Sequence, residues 1–176
     1  MANFWNAPVK ILDSINEWTG KTTAWLTTIL VVFMCYDVIM RYLFSQTAVW
    51  ISELEWHMFA LIFLLGAAYT LKDDKHVRVD VFYTNFSPRK QAWVNLFGTI
   101  FFLIPFCLIV IYTSISYAGK SWAIGESSPD PGGLPARYLI KSAITVGFVL
   151  LLLQSLAELM RSISTLTTTN TKQDHV

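Results

Sequence analysis

Four ionisable residues, Asp37, Arg41, Glu53 and Glu55, stand close together in an otherwise apolar part of the sequence. Asp37 and Arg41 are four residues apart, which puts them on one face of a helix and lets them pair. The short link Ser45 to Val49 brings Glu53 and Glu55 near Arg41. In a low-dielectric setting such a cluster can staple helices, dock a partner subunit, or take part in substrate or proton transport. Bond-making chemistry is not expected: the sequence offers no intramembrane metal cluster, no nucleophile with a base and no cysteine pair. His57, one turn beyond Glu53, can pair with it or stand as a neutral interfacial histidine. Haem between helices typically needs paired axial histidines, and His76 and His175 fall outside the apolar runs. No cofactor or metal is expected. Cys35 and Cys107 lack Cys-x-x-Cys spacing and read as small apolar residues.

The elements that must position these charges are apolar helices. Hydrophobic residues make up 54% of the 176 residues and charged residues 14%. A bilayer core needs about 20 mostly apolar residues per helix. Four runs meet that length: Thr22 to Phe44, Trp50 to Leu71, Ala92 to Tyr117 and Tyr138 to Met160. The expected class is an all-α integral membrane protein with four transmembrane helices and short interfacial amphipathic helices. Residues 1–21 read as an amphipathic leader, 22–163 as the transmembrane domain and 164–176 as a polar, disordered cytoplasmic tail. In the leader, Ile11, Ile15 and Trp18 recur on one helical face. The first 20 residues do not resemble a signal peptide, so the first span is expected to be an uncleaved anchor.

Basic residues favour the cytoplasmic side of short loops. In a four-span arrangement Lys10, Lys21, Lys72, Lys75, Arg78, Arg89, Lys90, Arg161 and Lys172 fall on one side, and Arg41, Lys120, Arg137 and Lys141 on the other. Both termini and the middle loop are therefore expected in the cytoplasm. The middle loop carries His76, Arg78 and Asp80, followed by an apolar stripe of Val79, Phe82, Tyr83 and Phe86 suited to the interface. Ser87 and Pro88 read as the cap and first position of the third helix. The opposite loop, Gly125 to Pro135, is dense in proline and glycine, which specify turns. Its Asp130, Pro131, Gly132 and Gly133 either present a binding surface or only connect two spans.

Pro105 removes a backbone hydrogen bond from the third span and is expected to kink it. Lys141 and Glu158 lie near opposite ends of the fourth span, where long side chains reach the interface. Trp18, Trp25, Trp50, Trp56, Trp93 and Trp122 cluster near span ends, as interfacial anchors do. A net charge of +1 with scattered basic residues excludes a nucleic-acid surface.

The order of several short pieces resembles the small membrane subunit of tripartite ATP-independent periplasmic (TRAP) transporters. They are Arg41-Tyr42 closing span one, Trp50-x-x-Glu53-x-Glu55 opening span two and Phe63-Leu64-Leu65-Gly66-Ala67-Ala68 within it. His76-Val77-Arg78-Val79-Asp80 in the middle loop, Gly132-Gly133-Leu134-Pro135 before span four and Leu152 to Glu158 ending it complete the pattern. The resemblance implies a multi-pass protein of the bacterial inner membrane. Its implied partners are a large elevator-type membrane subunit that moves an organic acid with sodium and a periplasmic substrate-binding protein, with membrane lipids around it. The chain itself would be a non-catalytic scaffold. The alternative is a self-contained small exporter in which Asp37 or Glu53 exchanges protons.

Overall fold

The computed structural model describes residues 6–73, Tyr83 and 86–173. Helix is the only regular structure among them. The first helix, α1 (Asn6–Leu43), is followed by α2 (Val49–Lys72), α3 (Pro88–Gly98), a π-helical turn (Thr99–Leu103), α4 (Ile104–Ala123) and α5 (Tyr138–Gln173). Among the described residues four stretches are long and apolar enough to cross a membrane: Pro8–Leu43, Val49–Lys72, Arg89–Ala123 and Tyr138–Thr167.

Helix lengths exceed the spans expected from hydropathy. At about 1.5 Å per residue, α1 is roughly 57 Å long, against a hydrocarbon core of about 30 Å. No break separates residues 6–21 from the first span, so both belong to one rod. On that lower stretch Asn16 and Gly20 are buried while Ile11, Ile15 and Trp18 are exposed. Its polar side faces protein and its apolar side faces outward. The segment from residue 164, read as a disordered tail, instead continues α5 to Gln173.

α5 is the hub, packing against α1, α2, α3 and α4, while α1 also lies along α2. The α2–α5 crossing is close because position 147 is glycine. A Cβ there would stand 2.8 Å from the Leu64 carbonyl oxygen. Small residues serve this purpose in membranes, where helix association depends on packing rather than on escape from water. The apolar core centres on Leu71, Cys107 and Leu151, with Ala67, Leu103, Phe148 and Leu152 around it.

The expected kink at Pro105 takes the form of a widened turn. Proline has no N–H for the carbonyl of Phe101, and its ring crowds that oxygen. The chain accommodates this in the preceding π turn, where the Ile104 amide donates to the carbonyl of Thr99. Pro88 opens α3 as expected, and Ser87 occupies the N-cap position, but its hydroxyl makes no capping bond.

The helix ends define two rims. The upper rim contains the α1–α2 link, with Ser45 at φ 52°, and the loop 124–137. The lower rim contains the start of α1, the end of α2, α3 and the last turns of α5.

Candidate functional site

The charged cluster at the upper rim divides in two. Arg41 pairs with Asp37, as their spacing requires, and the carboxylate of Asp37 is buried while Arg41 is half exposed. Glu55 lies within electrostatic reach of both. It makes no ion pair among the described residues, and its Oε1 is buried without a hydrogen-bond partner.

Glu53 turns away from Arg41. Its side chain is buried at the top of α2 and accepts hydrogen bonds from the Ser128 hydroxyl, the Leu134 amide and, at 3.3 Å, the Arg137 guanidinium. A buried carboxylate is tolerated only when charge and lone pairs are met, and the loop 124–137 supplies three donors. Gly133 fits against this clasp because it has no side chain. A Cβ at that position would collide with the Ser128 hydroxyl and stand 2.7 Å from Glu53 Oε2. The loop is also closed on itself. Ser128 N–H donates to the Leu134 carbonyl at 3.1 Å, Gly133 N–H to the Asp130 carbonyl at 3.0 Å and Arg137 N–H to the Glu126 carbonyl at 2.9 Å. Asp130, Pro131 and Gly132 are exposed at its tip, with Gly132 at φ 80°, a conformation glycine adopts at little cost.

A second pair fastens the same loop to α5. Lys141 pairs with Glu126 and stands 4.2 Å from the centre of the Tyr117 ring. Its side chain is 14% exposed and is engaged with Glu126 and the Tyr117 ring. The Lys141 ammonium beside it holds the Glu126 carboxyl below its ordinary pKa. His57 directs Nδ1 at the backbone carbonyl of Glu53, not at its carboxylate, and its ring lies 3.8 Å from that of Trp56.

The lower rim holds a network that sequence reasoning missed. Asn16 and Gln154 are fully buried and joined by a 2.7 Å hydrogen bond, and Gln154 also donates to Asp13 at 3.2 Å. Arg161 bridges Asp13 and Glu158, and Glu158 accepts from Asn95 at 3.3 Å. Glu17 receives Lys72 at 2.7 Å and Lys21 at 2.8 Å. Glu158 is thereby held by protein groups. The signal available was Asn16 and Gln154, neutral polar residues within apolar surroundings, each needing a partner. Of the middle-loop residues, His76, Arg78 and Asp80 lie outside the described set, as do Val79 and Phe82. Tyr83 is described and donates to Asn95 at 3.1 Å.

Charged groups therefore gather at the two rims and tie α1, α2, α3, α5 and the loop 124–137 together, while between them lie the apolar core and a 2.9 Å hydrogen bond joining α4 to α5, Ser114 with Thr145. Among the described residues no group of His, Cys, Asp and Glu could hold a metal ion.

A family model described as the DctQ component of tripartite ATP-independent periplasmic transporters matches residues 30–165. The chain belongs to this family. The match covers the upper cluster, the loop 124–137 and most of the four spans. Among curated relatives, the C4-dicarboxylate TRAP transporter small permease protein DctQ of Vibrio cholerae is 27% identical over 124 residues, which is 68% of this chain and 52% of that protein. The sialic acid TRAP transporter permease protein SiaT of Haemophilus influenzae is 20% identical over 144 residues, 81% of this chain and 22% of that protein. The chain thus aligns with about half of the first relative and less than a quarter of the second. It is a small membrane subunit of a TRAP transporter, a multi-pass membrane protein whose family function is transport.

Proposed function

We propose that this DctQ-family chain is the non-catalytic scaffold of a sodium-coupled TRAP transporter that imports an organic acid across the bacterial inner membrane. The large elevator-type subunit moves against it, and a periplasmic binding protein delivers the substrate. Both termini face the cytoplasm, in keeping with the nine-against-four distribution of basic residues. The two relatives are named for a C4-dicarboxylate and for sialic acid, both organic acids, which supports that substrate class.

The observation that carries the reading is how the chain's polar groups are used. Glu53, Glu126 and Asp37 are engaged with the chain's own donors and cations. The spans bury little of themselves in return: between 11% and 33% of the apolar stretch of each is buried within the chain. Such a bundle is held rigidly at its rims and leaves broad lateral faces for a larger membrane protein. The α1–α2 edge is the docking face, because Glu55, next to the Asp37–Arg41 pair, makes no ion pair among the described residues and its Oε1 has no hydrogen-bond partner there. The exposed loop tip at Asp130, Pro131 and Gly132 meets the binding protein, and the segment with His76, Arg78 and Asp80 anchors the assembly at the cytoplasmic interface.

The test is purification of the full chain from its native membrane in mild detergent, followed by mass spectrometry of co-purifying proteins. A large multi-span membrane protein is expected in stoichiometric amount. Recovery of the chain alone, still folded, would sink the scaffold reading.

A further inference from the structure

We propose that the groove between α2, α4 and α5 at the upper rim is a phospholipid site, with an acyl chain along α2 and α5 and the lipid phosphate at Arg137 and Lys141. The groove has a volume of about 470 Å³. Its walls below the rim are apolar, formed by Phe59 and Phe63 of α2 and by Ile140 and Ile144 of α5, while its mouth carries the two cations. From Arg137 to Ile144 the helical rise is about 10 Å, so the groove runs from headgroup depth into the hydrocarbon.

The cations retain donor capacity. Arg137, whose side chain is 25% exposed, spends one Nη2 hydrogen bond on Glu53, at 3.3 Å, while its Nε is buried within the chain and open to no lipid. A guanidinium carries five N–H donors and an ammonium three. The charges also lie beside aromatic rings that border the mouth, Arg137 at 5.8 Å from the Trp56 centroid and Lys141 at 4.2 Å from that of Tyr117. Trp and Tyr favour the headgroup level of a bilayer. A helix of a partner protein filling this groove would have to bring its own acidic group to that depth, whereas the bilayer supplies phosphate there throughout. Arg137 and Lys141 are each matched by one carboxylate, Glu53 and Glu126, so the site is neutral as it stands. What it offers a phosphodiester is hydrogen-bond donation rather than net charge, so zwitterionic and anionic phospholipids both fit.

The experiment is native mass spectrometry of the full chain in mild detergent, supplied with equal amounts of a phospholipid and an uncharged glycosyl diacylglycerol with identical acyl chains. The phospholipid adduct is expected to dominate about tenfold, the scale of one charge-assisted hydrogen bond. Ala60→Trp, which fills the groove without touching the Glu53 clasp, is expected to remove that adduct, while Gly119→Trp on the open side of α4 leaves it intact. Equal retention of the two lipids by the wild-type chain overturns the proposal without any variant having to fold. So does an unchanged phospholipid adduct in folded Ala60→Trp. An unchanged adduct with loss of a co-purifying membrane protein would assign the groove to a protein interface instead.

Discussion

At the scale of single residues, the upper rim holds two separate charged contacts, Asp37 with Arg41 and Glu53 with the loop 124–137. Asp37 and Arg41 pair because four residues along a helix bring them together, a relation that spacing alone encodes. The short link between α1 and α2 suggests Arg41 as a neighbour for Glu53, yet the partners of Glu53 come from a loop more than seventy positions away. Nothing local announces that contact, since it depends on how α2 meets α5. The two arginines should therefore separate in experiment. Arg137→Ala is expected to speed amide exchange in residues 126–136 about tenfold, the effect of losing one charge-assisted hydrogen bond, whereas Arg41→Ala leaves that loop's protection unchanged and lowers folded yield by exposing the buried Asp37. Hydrogen exchange with mass spectrometry reads both. The loop also has a signed pH response. Glu126 has a folded pKa below its ordinary value of 4.5, chiefly through Lys141. Its contribution to stability is fully present above the ordinary value and disappears as pH falls through the lower, folded value. Thermal unfolding of the wild-type chain should show a component of stability constant from neutral pH down to about 5 and lost at more acidic pH. In Glu126→Gln that component should be absent throughout.

At the scale of elements, the four spans were legible because a bilayer imposes a length and a composition that few other environments require. Their true ends were not, since helix can continue beyond the hydrocarbon wherever packing supports it. The lower part of α1 is one such extension: Asn16 reaches Gln154, Asp13 reaches Arg161 and Glu17 reaches Lys72. Pro105 announced a disturbance in the third span but not its form, because the lost hydrogen bond can be met by bending or by widening, and the neighbours of the helix decide between them. Gly147 offered no pattern of its own, yet it governs how closely α2 and α5 approach. Gly147→Ala places a Cβ 2.8 Å from the Leu64 carbonyl oxygen. Backbone cannot yield as a flexible side chain does, so the substitution should cost about 1–3 kcal/mol, the usual penalty of overpacking. Gly119→Ala, where a Cβ meets nothing within 4 Å, should change stability little. Chemical denaturation of both variants in the same detergent measures the difference.

At the scale of the whole molecule, the bundle is closed at its rims and open along its sides. Exposed apolar residues cover the outer faces of both α1 and α4, among them Val31, Val32, Ile39, Phe106, Ile109 and Tyr112, so hydrophobicity does not distinguish the face that meets lipid from the face that meets protein. Electrostatics does. The only carboxylate at the upper rim with a buried, unpartnered oxygen among the described residues is Glu55, on the α1–α2 edge, and leaving such a group unmet in a membrane is costly. On the proposed scaffold reading, a cation from the large subunit would offset that cost, and the partner is then expected against α1 rather than α4. The two faces can be separated by adding bulk where it disturbs nothing within the chain. Cys35 is exposed on α1, and Gly119 faces open space on α4. Cys35→Trp is expected to reduce recovery of the large subunit about tenfold, since one misfitted large side chain can cost a membrane interface 1–3 kcal/mol. Gly119→Trp should leave recovery at the wild-type level, and both variants should unfold at the wild-type temperature when isolated. The reverse pattern of recovery would move the docking face to α4 and leave Glu55 to be satisfied by water or lipid at the rim.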